Sequence, residues 1–145
     1  MKLSTKGRYG TRLMLDLALH FGQGQVLLKD IARRQGLSEK YLWHLINPLK
    51  NAGLVVSNRG IRGGYVLARA PDKINIRQIV EVLEGELCLV DCVHNNETCN
   101  RISTCVTKEV WELVTNRVLQ TLESFTLQDL VDKQKIKSQD AVYAI

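Results

Sequence analysis

The stretch that most constrains this chain is residues 36–68, where a helix with one polar face is followed at once by two short extended runs around a basic, glycine-rich tip. Ser38 stands where a side-chain oxygen satisfies the free amides of a helix N-terminus. Beyond it, Leu42, Leu45, Ile46 and Leu49 recur at helical spacing on one face and leave Lys40, Trp43, His44, Asn47 and Asn51 on the other. Pro48 removes an amide and crowds the carbonyl of His44, so a bend is expected there. Ala52-Gly53 ends the helix. Leu54-Val55-Val56 and Gly64-Tyr65-Val66-Leu67 then read as two strands flanking the tip Arg59-Gly60-Ile61-Arg62-Gly63. Residues 29–35 form a short preceding helix with Ile31 and Ala32 inward and Arg33 and Arg34 outward, free for solvent or phosphate. Helix, turn, helix and two-stranded wing together predict a winged helix-turn-helix domain.

Charge agrees with that order. Residues 1–70 hold 12 Lys/Arg against 3 Asp/Glu, a net of +9, whereas residues 71–145 hold 8 against 12, a net of −4. A basic half gains affinity for DNA by displacing counterions from phosphates. At 145 residues and 45% hydrophobic content the chain suffices for one sizeable core or two small ones. No apolar run approaches the roughly 20 residues that span a bilayer, so no membrane partner and a cytoplasmic location are expected.

Upstream, Tyr9, Leu13, Leu17 and Phe21 make the stripe of a first helix over residues 9–21, and Val26-Leu27-Leu28 an extended link. Downstream, Asn75 caps a helix over Ile76–Glu84 that Gly85 ends. Residues 107–125 form the longest helix, with Val110, Leu113, Val114, Val118, Leu122 and Phe125 in one stripe and Trp111 and Leu119 on a second flank. Two apolar flanks exceed what one domain covers, which implies a symmetric homodimer and two reading heads. Thr126-Leu127-Gln128-Asp129 caps a further short helix before a charged, mobile tail whose end, Val142-Tyr143-Ala144-Ile145, is free to dock. The division is therefore 1–70, DNA-binding; 71–105, connecting helix and cysteine-rich loop; and 106–145, dimerisation helix and tail. The fold class is mainly α.

Residues 36–68 and the opening Leu3-Ser4-Thr5-Lys6-Gly7-Arg8-Tyr9 resemble the winged-helix transcription regulators typified by IscR, NsrR and CymR. The resemblance covers nearly the whole chain. It implies that the first turns of the recognition helix read a palindromic double-stranded operator, which by position nominates Ser38, Lys40, Tyr41, Trp43 and His44; Tyr41 borders the apolar face and is equally suited to the core. It also implies that Arg59 enters the minor groove, with Arg62 adding charge. IscR carries Glu-Gln where this chain has Trp43-His44, so a different target is expected.

All four cysteines lie in the aperiodic segment 86–105. Cys92, Cys99 and Cys105, separated by six and five residues, resemble the triad of the cluster-binding members, which implies an iron–sulfur cofactor of the [2Fe-2S] type and a regulator that answers to redox, iron or nitric oxide status. The fourth ligand is open: Lys108 stands where IscR has histidine, Arg8 and Tyr9 stand near the position of an acidic ligand in other relatives, and Cys88, Asp91, His94 and Glu97 are local candidates. Structural zinc, a thiol switch, or cysteines incidental to a CymR-like regulator controlled by an enzyme partner are the alternatives. No nucleophile–base pair, carboxylate pair or phosphate loop points to catalysis.

Overall fold

The computed structural model describes residues 2–60 and 63–143. Among these the order is α1 (Thr5–Leu19), α2 (Leu28–Gln35), α3 (Glu39–Asn51), β1 (Val55–Asn58), β2 (Gly64–Leu67), α4 (Ile76–Glu84), α5 (Val106–Ser124) and α6 (Leu127–Tyr143), with 3-10 turns at Pro71–Lys73 and Asp91–Val93. The mainly helical class and the winged helix-turn-helix order hold.

α1 begins at Thr5, four residues before the apolar stripe suggests, because its free amides have partners elsewhere in the chain. Ser4 accepts from the Lys6 amide at 3.2 Å, and Glu84 Oε1 at the end of α4 accepts from the amides of Ser4 and Gly7, each at 3.0 Å, and from the Ser4 hydroxyl. Gly7 and Gly10 weaken the helical signal in isolation. In the fold they let α4 come close: a Cβ on Gly10 would sit 2.0 Å from Leu83 Cδ1. Phe21, expected on the stripe, lies past the helix and is exposed.

The helix-turn-helix corner follows from two local devices. Gly36 takes φ +66°, a left-handed conformation that costs glycine little, and lets the Leu37 amide reach the Ala32 carbonyl at 3.0 Å. Ser38 then accepts from the Tyr41 amide at 3.1 Å and starts α3. Leu42, Leu45, Ile46 and Leu49 are buried as their spacing requires. α3 passes through Pro48 without interruption, and the Pro48 carbonyl still accepts from Ala52 at 3.0 Å.

β1 and β2 pair antiparallel with Val55 opposite Leu67 and Asn58 opposite Gly64. Val26 in the expected extended link exchanges two backbone hydrogen bonds with Tyr65, at 3.0 and 2.9 Å, and so ties the α1–α2 connection to the wing. Only glycine fits at position 64, where a Cβ would meet the Val26 carbonyl oxygen at 2.6 Å.

α4 carries the full capping box between Asn75 and Gln78 and packs across α1 and α3. The Ile76 amide reaches the Phe125 carbonyl and the Leu127 amide the Ile74 carbonyl, both at 2.9 Å, anchoring the α5–α6 junction to the start of α4. One apolar core runs from Leu13 on α1 through α3 and α4 to Leu119, Leu127 and Val131. α6 is capped by Thr126 and Asp129, as expected, but it is not short: the helix runs on to Tyr143 and takes in most of the segment expected as a mobile tail. Its second half lacks glycine and proline and is rich in lysine and glutamine, good helix formers that continue a helix already nucleated against the core. Val142 is exposed, and Ala144 and Ile145 lie outside the described residues.

Arg34 departs from the expected outward role. Its guanidinium grips Asp16 of α1 with two hydrogen bonds, at 3.0 and 2.7 Å, while Gln35 Nε2 donates to Asp16 at 3.0 Å. Asp16 is 2% exposed, and a carboxylate so far from water requires this pairing. Arg34→Ala leaves that charge uncompensated, and the expected loss is about 3 kcal/mol of unfolding free energy, read by urea denaturation. Arg33→Ala, at a side chain 76% exposed, is the control expected to change stability by less than about 0.5 kcal/mol.

Candidate nucleic-acid interface and cysteine loop

The outer face of α3 presents Lys40, Trp43 and His44 to solvent, with Ser38 exposed at its N-terminus. Trp43 is 52% exposed, and the His44 ring stands edge-on to it at 5.5 Å between centroids and 77° between planes. Tyr41 points the other way. Its ring meets Tyr9 edge-on at 6.0 Å and its hydroxyl is sealed from water with no hydrogen-bond partner, so this side chain joins α3 to α1. On the wing Arg59 is exposed at the end of β1; Arg62 lies outside the described residues. Arg33 is also exposed, 3.6 Å from Asp30. A helix with polar and aromatic side chains outward, beside a hairpin ending in arginine, has the elements required to enter a groove and touch its phosphates.

α5 buries only Thr115 and Leu119 among its own residues, both toward its own chain. Val110, Leu113 and Val114 are exposed, and Leu113, Val114, Val118 and Leu122 line an apolar groove with Arg117 and Thr121 at its edges. Of the two apolar flanks expected on this helix, the one with Leu119 packs on its own chain and the one with Leu113, Val114, Val118 and Leu122 is uncovered.

Between α4 and α5 the cysteine loop is held by polar contacts of its own. His94 spans it, with Nδ1 3.0 Å from Glu86 Oε1 and Nε2 3.2 Å from the Leu87 carbonyl. The Leu89 amide donates to Thr115 Oγ1 on α5 at 3.3 Å. Lys108, only 14% exposed, lies 3.3 Å from Asn96 Oδ1 and 3.1 Å from Glu112 Oε1. Cys88, Cys92 and Cys105 are half-buried and Cys99 is exposed, all as free thiols.

Three thiols suit an iron–sulfur cluster or zinc by chemistry, but their placement here does not. Among the described residues no three His, Cys, Asp or Glu side chains are grouped to hold a metal ion. Both ring nitrogens of His94 already face oxygens, and the Lys108 ammonium is engaged within the loop. The sequence places three donors in one segment; in this fold the segment does not converge them.

The thiols are not equivalent. Cys105 is the N-cap of α5, where the Thr107 hydroxyl, 3.2 Å from Sγ, and then the Lys108 amide hold its thiol below the usual range. Burial, and then the carboxylates of Asp91 and Glu86, push the Cys88 thiol up.

Asp16, Glu84 and Thr115 are the polar residues with structural duties that sequence reasoning passed over. Asp16 had a signal, an acid inside an apolar helical stripe. Glu84 and Thr115 had none, since a solvated helix face carries the same residues.

A family model described as Rrf2, iron-dependent transcriptional regulator, matches residues 3–133. The chain is 45% identical over 130 residues to the transcriptional regulator CymR of Bacillus subtilis, covering 90% of this chain and 89% of that one. It is 42% identical over 131 residues to protein Rrf2 of Nitratidesulfovibrio vulgaris, covering 90% and 87%. The solved structure of B. subtilis CymR, described as the global cysteine regulator, superposes with a TM-score of 0.78 at 43% identity over 92% of this chain and 98% of that chain. The T. potens IscR structure gives 0.75 at 48% identity, covering 92% and 88%. These relatives are regulators of transcription, not enzymes. Among the described residues no helix is long and apolar enough to cross a membrane.

The thiol contrast is measurable. A lower pKa leaves more thiolate at neutral pH, so iodoacetamide at pH 7 is expected to alkylate Cys105 faster than Cys88, with peptide mass spectrometry as the readout. The Cys105 rate should level off at lower pH than that of Cys88, and Thr107→Val should narrow the gap.

Proposed function

We propose that this chain, which belongs to the Rrf2 family of transcriptional regulators, acts as a homodimer that grips palindromic operator DNA with two winged heads, and that the cysteine loop sets the grip. The observation that carries this reading is the pairing, on one chain, of an exposed polar and aromatic face on α3 with an uncovered apolar groove on α5. The groove supplies the seam. Two copies joined along α5 place two α3 helices at a spacing that one operator matches. Lys40, Trp43, His44 and Ser38 face the bases or their flanking phosphates, while Arg59 and Arg62 carry the wing into the neighbouring groove.

Supporting a role for the loop in this geometry, it follows α4, whose last residue, Glu84, caps α1, and it runs directly into α5. The finer reading gives Cys92, Cys99 and Cys105 an iron–sulfur cluster, which would make the grip respond to redox or iron status. It rests on their spacing and requires the loop to give up the His94 and Lys108 contacts. A second reading is favoured by those same contacts: His94 and Lys108 hold the loop through protein groups alone, and a partner enzyme or thiol chemistry supplies the signal.

Anaerobic reconstitution with iron and sulfide separates the two. Cluster binding predicts near-stoichiometric iron and sulfide in the wild type, none in the Cys92, Cys99 and Cys105 triple alanine variant, and operator affinity that differs between loaded and metal-free wild type only. Metal-free protein after reconstitution, with full operator affinity, leaves the second reading standing. For the seam, Leu113→Asp places a carboxylate on each side of the α5 interface. The expected outcome is a dimer dissociation constant raised tenfold or more, about 1.4 kcal/mol, by sedimentation equilibrium, with weaker operator binding and an unchanged monomer circular dichroism spectrum.

A further inference from the structure

We infer that Trp43 reads thymine methyl groups, which makes it a specificity-determining residue for operators with a thymine at the position it faces. The inference rests on the DNA-binding reading above and deepens it. Trp43 is 52% exposed on α3, while every other large apolar side chain of that helix is buried: Leu42, Leu45, Ile46 and Leu49 lie between 0 and 2%. An indole is apolar over its faces and carries one N–H donor, so on the outer face of this helix it is open to whatever partner enters there. Its position on the helix indicates where that partner lies. Lys40, His44 and Asn51 occupy the side opposite the core and Trp43 stands at their edge, so a groove that accepts the first three meets the indole as well.

The orientation of the ring is supported from one side. His44 stands edge-on to it at 5.5 Å, a favourable aromatic arrangement that supports this placement of the indole. Trp43 presents a large apolar surface and a single N–H donor, and it has neither the fork of arginine nor the paired donor and acceptor of glutamine. The major groove offers one apolar feature to such a surface, the C5 methyl of thymine. Burial of one methyl group against the ring corresponds to about a fourfold gain in affinity for each thymine contacted, and about fifteenfold over two half-sites.

The test takes the full chain, enriches binding sequences from a random duplex pool, and measures binding to the selected operator by fluorescence anisotropy with either thymine or deoxyuridine at each position. Deoxyuridine keeps every hydrogen-bonding group and lacks the methyl. The expected result is that one thymine per half-site loses about fourfold in affinity on replacement by deoxyuridine, and that Trp43→Ala binds the two duplexes equally. Because Trp43 is exposed, the variant should keep the wild-type melting temperature, which separates lost reading from lost fold. Equal affinity of the wild type for both duplexes overturns the inference, as does a Trp43→Ala variant that keeps the full deoxyuridine penalty. Failure to enrich any sequence overturns the DNA-binding reading itself, a result distinct from enrichment without methyl dependence.

Discussion

The close crossing of α1 and α4 is the contact on which the rest of the molecule depends. α1 carries the reading head, α4 leads into the cysteine loop, and they meet where Gly7 and Gly10 expose backbone to Leu83 and Glu84. The Glu84 carboxylate accepts amide hydrogen bonds at the N-terminus of α1, whose unpaired donors and partial positive charge favour an anion. Hydrogen bonding and close packing act at one place. The helix-turn-helix head and the helix that leads into the cysteine loop are thereby joined directly by one contact.

A second constraint fixes the head internally. Asp16 is buried between α1 and α2, and Arg34 and Gln35 approach it from α2. Apolar packing alone would let two short helices slide, whereas a two-pronged guanidinium–carboxylate contact fixes both distance and angle. With the Val26–Tyr65 bridge on the other side, α2 is tied to α1 and the preceding link to the wing, so α3 is presented from a stiff frame. Reading base edges requires such a frame, since side chains must be held to within a fraction of an ångström.

Much of this was legible in the chain. The leucines and isoleucine of α3, the caps at Ser38 and Asn75, the stop at Gly85 and the Thr126–Asp129 pair are local signals, and local signals follow from helix geometry alone. The spare flank of α5 was legible for a related reason, since apolar residues around more than one face need more than one neighbour. The length of α6 was not. Its second half shows no apolar stripe, and periodicity is silent about a helix that continues on propensity after its first turns are packed. Tyr41 bordered two faces, and only the position of Tyr9 decides that it turns inward.

By itself the sequence determined the order of helices and wing, the basic charge of the head and the presence of three closely spaced thiols, because each of these follows from residue type and interval along the chain. Only the tertiary structure decided that Arg34 serves Asp16 rather than phosphate, that Glu84 caps a helix nearly eighty residues away, and that the cysteine loop is held by His94 and Lys108 without grouping three metal-binding side chains among the described residues. The physical reason is the same in each case. A charged or polar side chain satisfies whichever partner folding brings within hydrogen-bonding distance, and sequence spacing does not encode that distance.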